Sequence, residues 1–200
     1  MKRNENGVSL PELVNAMKET SDPVMYQYYK NLDKNTLLIN ETIDLNSTEL
    51  YVMPLIEWDN DPKVEEIKIY LNCLGGDVFS GMLVAETIAK LKTKTTLEIL
   101  TYAYSMGGFI GVAGNSNPNV TVQCHEHSTF LIHAGSTSMR GDSSTVDDTL
   151  EFYRKFNERT KAFMLKNTTI TSEKFDEMKR TEWYLDSEDM IKYGVVNKIV

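Results

Sequence analysis

The sequence predicts an α/β fold in which helices pack on a largely parallel sheet. Glu66–Leu71 alternates charged and apolar residues and then becomes fully apolar, which is typical of a strand. After a Gly-Gly break, Val78–Leu91 carries apolar residues over one broad side, as an amphipathic helix does. The same order then repeats, with a strand over Leu97–Tyr102 and a helix over Met106–Ala113. Strand–helix–strand–helix order is typical of parallel βαβ units.

The rest of the chain supplies shorter elements and one long helix. Ser143–Lys166 has apolar residues on more than one side and would extend about 36 Å as a helix. Such a helix is expected to pack against another subunit as well as its own core. The other predicted elements are a helix over Pro11–Lys18, a helix over Pro23–Leu32, a strand over Asn35–Asn40, a helix capped at Asn46 or Ser47 that ends near Trp58, strands over Val120–Val122 and Thr129–Ile132, and a short helix from Thr171.

Length and composition predict one globular domain, which we place at residues 26–200, preceded by a polar N-terminal arm at 1–25. The 200 residues are 41% hydrophobic and 25% charged, ordinary usage for a folded protein. A net charge of −8 disfavours nucleic acid and anionic membrane surfaces as partners. The sequence shows neither an apolar run of membrane-spanning length nor a signal-peptide core, and its two cysteines form no disulfide framework. We therefore expect a cytoplasmic protein.

Ser105 is the residue best placed to act as a nucleophile. It lies between the apolar run ending at Leu100 and the small residues Gly107 and Gly108, which open a helix. A strand leading into Ser105 and a helix leaving it would hold the hydroxyl on a tight turn, with free N–H groups beside it. Ser before Gly-Gly is also an ordinary turn, so this stretch alone leaves both interpretations open.

A serine nucleophile needs a general base, and the three histidines are His125, His127 and His133. His133 follows an apolar strand, so it is expected at the sheet edge where α/β sites form, although a structural histidine is the commoner case. The run from Cys124 to His127 raises a metal site as an alternative. No second Cys/His cluster completes a tetrahedral ligand set, so we expect a solvated turn and no metal.

Gly75 and Gly76, which follow the strand ending at Leu71, form either a bare turn or a close backbone approach to a substrate. Neither GxxxxGK[ST] nor GxGxxG is present, so no nucleotide cofactor is expected. None of these features decides the function by itself.

The order of the motifs resembles the family of Clp protease proteolytic subunits, ClpP. Asn72-Cys73-Leu74-Gly75-Gly76, Tyr104-Ser105-Met106-Gly107-Gly108, Leu131-Ile132-His133 and Tyr193-Gly194-Val195-Val196 occur in that order, and the resemblance runs from about Tyr26 to Val200. It implies the ClpP/crotonase fold of repeated ββα units. It also implies a protruding handle, at about residues 135–166, that contains the long helix.

The resemblance further implies a serine endopeptidase with a Ser-His-acid triad. Ser105 falls at the family's nucleophile and His133 at its general base. Glu182 falls where the family has an Asp, and Asp186 and Asp176 stay open as alternatives for the acid. The backbone amides of Gly76 and Met106 would bind the oxyanion.

The implied assembly is a pair of stacked heptameric rings that degrade unfolded polypeptides. Because the chain lacks a nucleotide-binding motif, ATP dependence would come from an AAA+ unfoldase partner. Tyr70 matches an aromatic position of the family's unfoldase-docking pocket, whereas the N-terminal arm and the glycine-poor segment Gly135–Gly141 depart from the family pattern.

Two other functions remain open at this point. A crotonase-type acyl-CoA enzyme would share the fold and use the Gly-Gly turn for a thioester oxyanion, without Ser105 and His133 in register. A non-catalytic ring subunit would shape an assembly whose active sites lie elsewhere, and the Asp-to-Glu change at position 182 keeps this alternative open.

Overall fold

A largely parallel sheet forms the centre of the computed structural model, which describes residues 23–135, 140–178 and 181–200. Its strands are β1 Thr36–Ile39, β2 Glu66–Cys73, β3 Lys94–Tyr104, β4 Val120–Cys124, β5 Thr129–Ile132, β6 Trp183–Leu185 and β7 Lys198–Ile199. Strands β1, β2, β3, β4 and β7 are neighbours in that order, and each of these pairs is parallel. The α/β class and the parallel βαβ units predicted from the sequence are confirmed.

The helices follow the predicted order with shifted ends. They are α1 Pro23–Leu32, α2 Met53–Asn60 after a π-helical turn at Thr48–Val52, α3 Val78–Ile88, α4 Met106–Val112, α5 Ser143–Asn167, α6 Ser172–Met178 and α7 Ser187–Lys192. Helix α3 ends three residues earlier than predicted, and the Asn117 side-chain amide, from another loop, binds the carbonyl of Leu91 just beyond it. The predicted helix at Pro11–Lys18 and most of the 1–25 arm lie outside the described residues.

The core lies on one face of β2 and β3. Ile67, Ile69 and Leu71 of β2 and Leu97 and Ile99 of β3 are fully buried. The alternating residues on the opposite face are partly exposed, as the period of two along a strand requires. Helices α3 and α4 pack on this apolar core, which fixes the turns that precede both helices.

Strand β3 changes partners along its length, and this change creates the edge that carries the site. Thr95–Ile99 pairs with β4, whereas Tyr102–Tyr104 pairs with β5. Strand β5 in turn pairs antiparallel with β6, a strand that the local sequence pattern did not predict. The ends of β3 and β5 therefore meet the start of β6.

Helix α5 confirms the predicted long helix. It has 25 residues, of which only Met164 and Asn167 are buried. Most residues of its N-terminal half are exposed, and part of the predicted handle region, residues 136–139, lies outside the described residues.

Candidate active site

Ser105 occupies a strained turn between β3 and α4. Its φ is 53° and its ψ is −121°, a backbone conformation that non-glycine residues rarely adopt. The turn is held because the Ser105 N–H donates to the Leu131 carbonyl at 3.0 Å and the Ser105 carbonyl accepts from Gly108 N–H at 2.9 Å. The predicted strand–turn–helix placement of Ser105 is confirmed.

The Gly75-Gly76 turn lies directly against Ser105. Gly75 has a φ of 103° and Gly76 a φ of 146°, both in the region that favours glycine. A Cβ at Gly75 would lie 2.8 Å from the Cβ of Ser105 and 2.9 Å from the amide nitrogen of Met106. Only glycine, which has no Cβ, allows this approach. The backbone after β2 therefore lies in contact with the backbone at the start of α4.

Two backbone amides beside Ser105 have no acceptor among the described residues. Ile43 N–H donates to the Gly75 carbonyl and Asp77 N–H donates to the Ile43 carbonyl, so the Gly76 N–H points away from Ile43. Met106 is the first residue of α4, where a helix leaves its N–H groups unpaired. These two amides are the predicted oxyanion donors. The Gly75 amide instead contacts the Cys73 sulfur at 3.3 Å.

Ser105 and His133 line the same cleft. His133 follows β5, is half-buried, and shares with Ser105 a cavity of about 540 Å³. No hydrogen bond joins the two side chains in the described part of the chain. Most of the lining is apolar and comes from α3, α4, β5, α5 and α6: Val78, Met106, Phe109, Ile132, Tyr153, Phe156 and Phe175. Sequence reasoning missed this lining, because no local signal relates these helices to each other.

Glu182 directly precedes β6 and His133 directly follows β5, and these two strands pair antiparallel. The register pairs Ile132 with Trp183, so continuing it by one residue would set His133 opposite Glu182. The Glu182 side chain is exposed, and its Oε2 accepts from the Tyr184 hydroxyl at 3.2 Å. Within the described residues it makes no hydrogen bond to His133 and does not line the cleft.

The two alternative acids have other partners. The Asp186 carboxylate accepts from Asp189 N–H at 2.9 Å and so caps α7. Asp176 forms an ion pair at 2.7 Å with Lys161, whose side chain is largely buried. Of the three candidate acids, Glu182 is the one that directly precedes β6, the strand paired with β5 ahead of His133.

The remaining histidines lie away from this cleft. His125 and His127 follow β4 in a turn, and His125 pairs with Glu98 at 2.9 Å. In residues 23–135, 140–178 and 181–200, no group of three His, Cys, Asp or Glu side chains is arranged to hold a metal ion. The solvated turn predicted for this run is confirmed, because β4 ends at Cys124 and both histidines are exposed.

Tyr70 lies on the outward face of the sheet in a polar cleft of about 230 Å³. Its neighbours there include Lys68, Glu98 and Gln123, and both Gln123 and His125 hydrogen-bond to the Glu98 carboxylate. Tyr70, which matches an aromatic position of the family's unfoldase-docking pocket, therefore has charged surroundings.

None of the helices in the described ranges combines the length and the hydropathy that crossing a bilayer requires. Cys73 and Cys124 are both buried free thiols.

Comparison with known proteins matches residues 19–200 to the family described as Clp protease. One relative is the ATP-dependent Clp protease proteolytic subunit of Deinococcus radiodurans, 23% identical over 176 residues that cover 88% of this chain and 85% of the relative. Another is the translocation-enhancing protein TepA of Halalkalibacterium halodurans, 29% identical over 77% of this chain and 62% of the relative. The family match extends over nearly the whole chain, including every segment that carries the candidate site. The chain therefore belongs to the Clp protease family.

Proposed function

We propose that this protein is a serine endopeptidase that hydrolyses peptide bonds of unfolded polypeptides. One observation carries the proposal: Ser105, held in a strained turn, and His133 line one cleft beside two unpaired backbone amides. A nucleophile, a base and an oxyanion site within one cavity are what acyl transfer requires.

The proposed mechanism assigns one step to each group. The His133 imidazole takes the proton of the Ser105 hydroxyl as Oγ attacks the peptide carbonyl, and the Gly76 and Met106 amides bind the oxyanion. Glu182 orients the imidazole, which then gives its proton to the leaving amine. Water, deprotonated by His133, next hydrolyses the acyl-enzyme, and the proton returns to Ser105.

The lining of the cleft supports a preference for apolar residues near the scissile bond. Aromatic and aliphatic side chains surround Ser105, and a cavity of about 540 Å³ accommodates a large side chain. Burying such a side chain contributes about 1.5–3 kcal/mol to binding. We expect peptides with Leu, Met or Phe before the cleaved bond to be the best substrates.

Assembly into stacked heptameric rings and feeding by an AAA+ unfoldase belong to the same proposal. The exposed length of α5 supports an intersubunit contact, and the Deinococcus relative carries "ATP-dependent" in its name. The charged surroundings of Tyr70 favour a polar partner segment at that position over an apolar one.

A second candidate is a non-catalytic ring subunit. It is favoured by the exposed Glu182 and by the fact that, among the described residues, no hydrogen bonds connect Ser105, His133 and Glu182. The crotonase-type alternative gains no support, because the chain belongs to the Clp protease family.

Replacing Ser105 by Ala tests the proposal. The wild type should cleave a fluorogenic peptide with Leu before the scissile bond and should react with a serine-directed phosphonate, whereas Ser105→Ala should do neither. Ser116→Ala, which alters an exposed hydroxyl outside the cleft, is the matched control. A folded, assembled wild type that neither cleaves nor labels would favour the non-catalytic subunit.

Replacing Glu182 by Gln tests the acid. We expect kcat to fall about 100- to 10,000-fold, because loss of the orienting carboxylate leaves the imidazole without its partner. Asp186→Asn should leave kcat within a few fold, since Asn also caps a helix. Near-normal turnover in Glu182→Gln would move the role to Asp186 or Asp176.

A further inference from the structure

The Glu182 carboxylate accepts a hydrogen bond from a residue of the strand that begins one position later. Tyr184 lies two residues further along, within β6, and its hydroxyl donates to Glu182 Oε2 at 3.2 Å. Among the described residues this is the one hydrogen bond recorded for that carboxylate. Both side chains are exposed, so the contact is not forced by burial.

The Tyr184 ring is itself supported by the residue that precedes the candidate nucleophile. Tyr104 meets it edge to face, with ring centroids 5.7 Å apart and planes at 85°. The Tyr104 hydroxyl shares a hydrogen bond of 2.7 Å with Thr129 Oγ1 on β5. Edge-to-face pairs of this kind contribute beyond the area they bury. The hydroxyl that contacts Glu182 is therefore carried on an anchored ring.

The register of β5 and β6 indicates which way the Glu182 carboxylate would face. Tyr184 lies opposite Leu131 and Trp183 opposite Ile132. Continued by one residue beyond the paired strands, this register would place His133 opposite Glu182, and opposite Cβ atoms in such a register are about 5 Å apart. A carboxylate has two oxygens and about four acceptor sites, so binding the tyrosine at Oε2 leaves Oε1 for an imidazole N–H. An exposed glutamate without such a contact would spread over several rotamers.

We propose that Tyr184 is a positioning residue, whose hydroxyl holds one oxygen of Glu182 so that the other faces His133. This inference rests on the proposed peptidase function and adds a residue to it. It gives a physical reason why the chain functions with Glu where the family has Asp: the longer side chain gains a clamp from Tyr184. The contact to Glu182 also raises the pKa of the Tyr184 hydroxyl above its ordinary value, which already lies well above neutral pH.

The test replaces Tyr184 by Phe, which keeps the ring and removes the hydroxyl. We expect kcat for peptide cleavage to fall about 10-fold, because a hydrogen bond to a charged group is lost. KM should stay within twofold, since Tyr184 does not line the cleft. Tyr102→Phe is the matched control, because it removes a hydroxyl from a nearby tyrosine that, among the described residues, is a partner of neither Glu182 nor Tyr184, and its kcat should stay within twofold.

Testing Tyr184→Phe in a Glu182→Asp variant distinguishes positioning of the carboxylate from a merely structural role. In Glu182→Asp the carboxylate is one methylene shorter and no longer reaches the Tyr184 hydroxyl. Tyr184→Phe should then change kcat by less than twofold. An equal loss in both backgrounds would assign Tyr184 a merely structural role and overturn the proposal.

The outcomes for the two proposals are distinguishable. An active wild type whose kcat is unchanged by Tyr184→Phe would overturn the positioning role and leave the peptidase intact. A wild type that neither cleaves peptide nor reacts with the phosphonate would overturn both.

Discussion

Three residues at the site adopt backbone conformations that most side chains avoid. Ser105 has a positive φ without being glycine, and Gly75 and Gly76 have φ values of 103° and 146°. Conformations of this kind cost about 1–3 kcal/mol each for a residue with a Cβ and persist only where the surroundings hold them. Here the Leu131 carbonyl and the contact between β2 and α4 hold Ser105 in place.

Gly75→Ala should destabilise the protein and disrupt the Ser105 turn. The added methyl would lie 2.8 Å from the Ser105 Cβ and would force a positive-φ alanine. We expect a loss of about 1–3 kcal/mol in the free energy of unfolding, measured by chemical denaturation. Gly135→Ala is the control, because no described atom lies within 4 Å of the position its Cβ would take. Equal stabilities for the two variants would contradict this account of the turn.

At the scale of elements, the Gly75-Gly76 turn leads directly into helix α3, which packs on the core. Asp77 directly follows Gly76 and caps α3, with its Oδ1 accepting from Ser80 N–H at 2.8 Å and Ser80 Oγ at 2.7 Å. These hydrogen bonds lower the pKa of the Asp77 carboxyl, and the one from the Ser80 backbone N–H has the largest effect. Its charged form therefore contributes stability above the unfolded pKa of about 3.9, and that contribution is lost as pH falls through the folded pKa.

Asp77→Asn should reduce the acid sensitivity of the protein. Asn caps a helix about as well as Asp, so stability at pH 7 should stay within about 1 kcal/mol of the wild type. Between pH 5 and pH 3 the variant should lose less stability than the wild type, because it has no carboxyl to protonate at this cap. Urea unfolding at each pH measures the difference. Parallel pH dependences would show that this cap does not contribute to acid unfolding.

At the scale of the whole molecule, the exposed face of α5 carries aromatic residues. Phe152 is 51% exposed and packs with Phe156 and with Phe79 of α3, which is 46% exposed. Aromatic clusters of this kind, rimmed by polar residues, are typical of protein–protein contacts. The cluster adjoins the cleft, since Phe156 belongs to both. The proposed assembly and the proposed substrate binding would therefore use the same part of the helix.

Phe152→Glu should weaken the proposed ring assembly without unfolding the subunit. A charge placed within the aromatic cluster would have to be buried on association, which is costly. Light scattering should show smaller particles than for the wild type, while circular dichroism stays unchanged. Arg154→Glu introduces the same residue about 200° around the helix and is the control, expected to keep the wild-type mass. An unchanged mass for Phe152→Glu would exclude the cluster from the interface.

The local sequence pattern predicted most of the elements and the turn that carries the candidate nucleophile. Charged and apolar residues alternating from Glu66 predicted β2, and the apolar run before Gly107 predicted the turn at Ser105. Such signals reflect periods of two or 3.6 residues and the conformational freedom of glycine, which act within a few positions of the chain. The order of the motifs then predicted the family, which the comparison confirmed.

Only the tertiary structure decided which distant residues meet. The pairing of β5 with β6 brings the segment that begins with Glu182 beside the strand that ends before His133, and a salt bridge joins Asp176 to Lys161 of α5. The lining of the cleft comes from helices widely separated in sequence. Register and packing depend on contacts between segments far apart in the chain, and a local pattern carries no information about which segments those are.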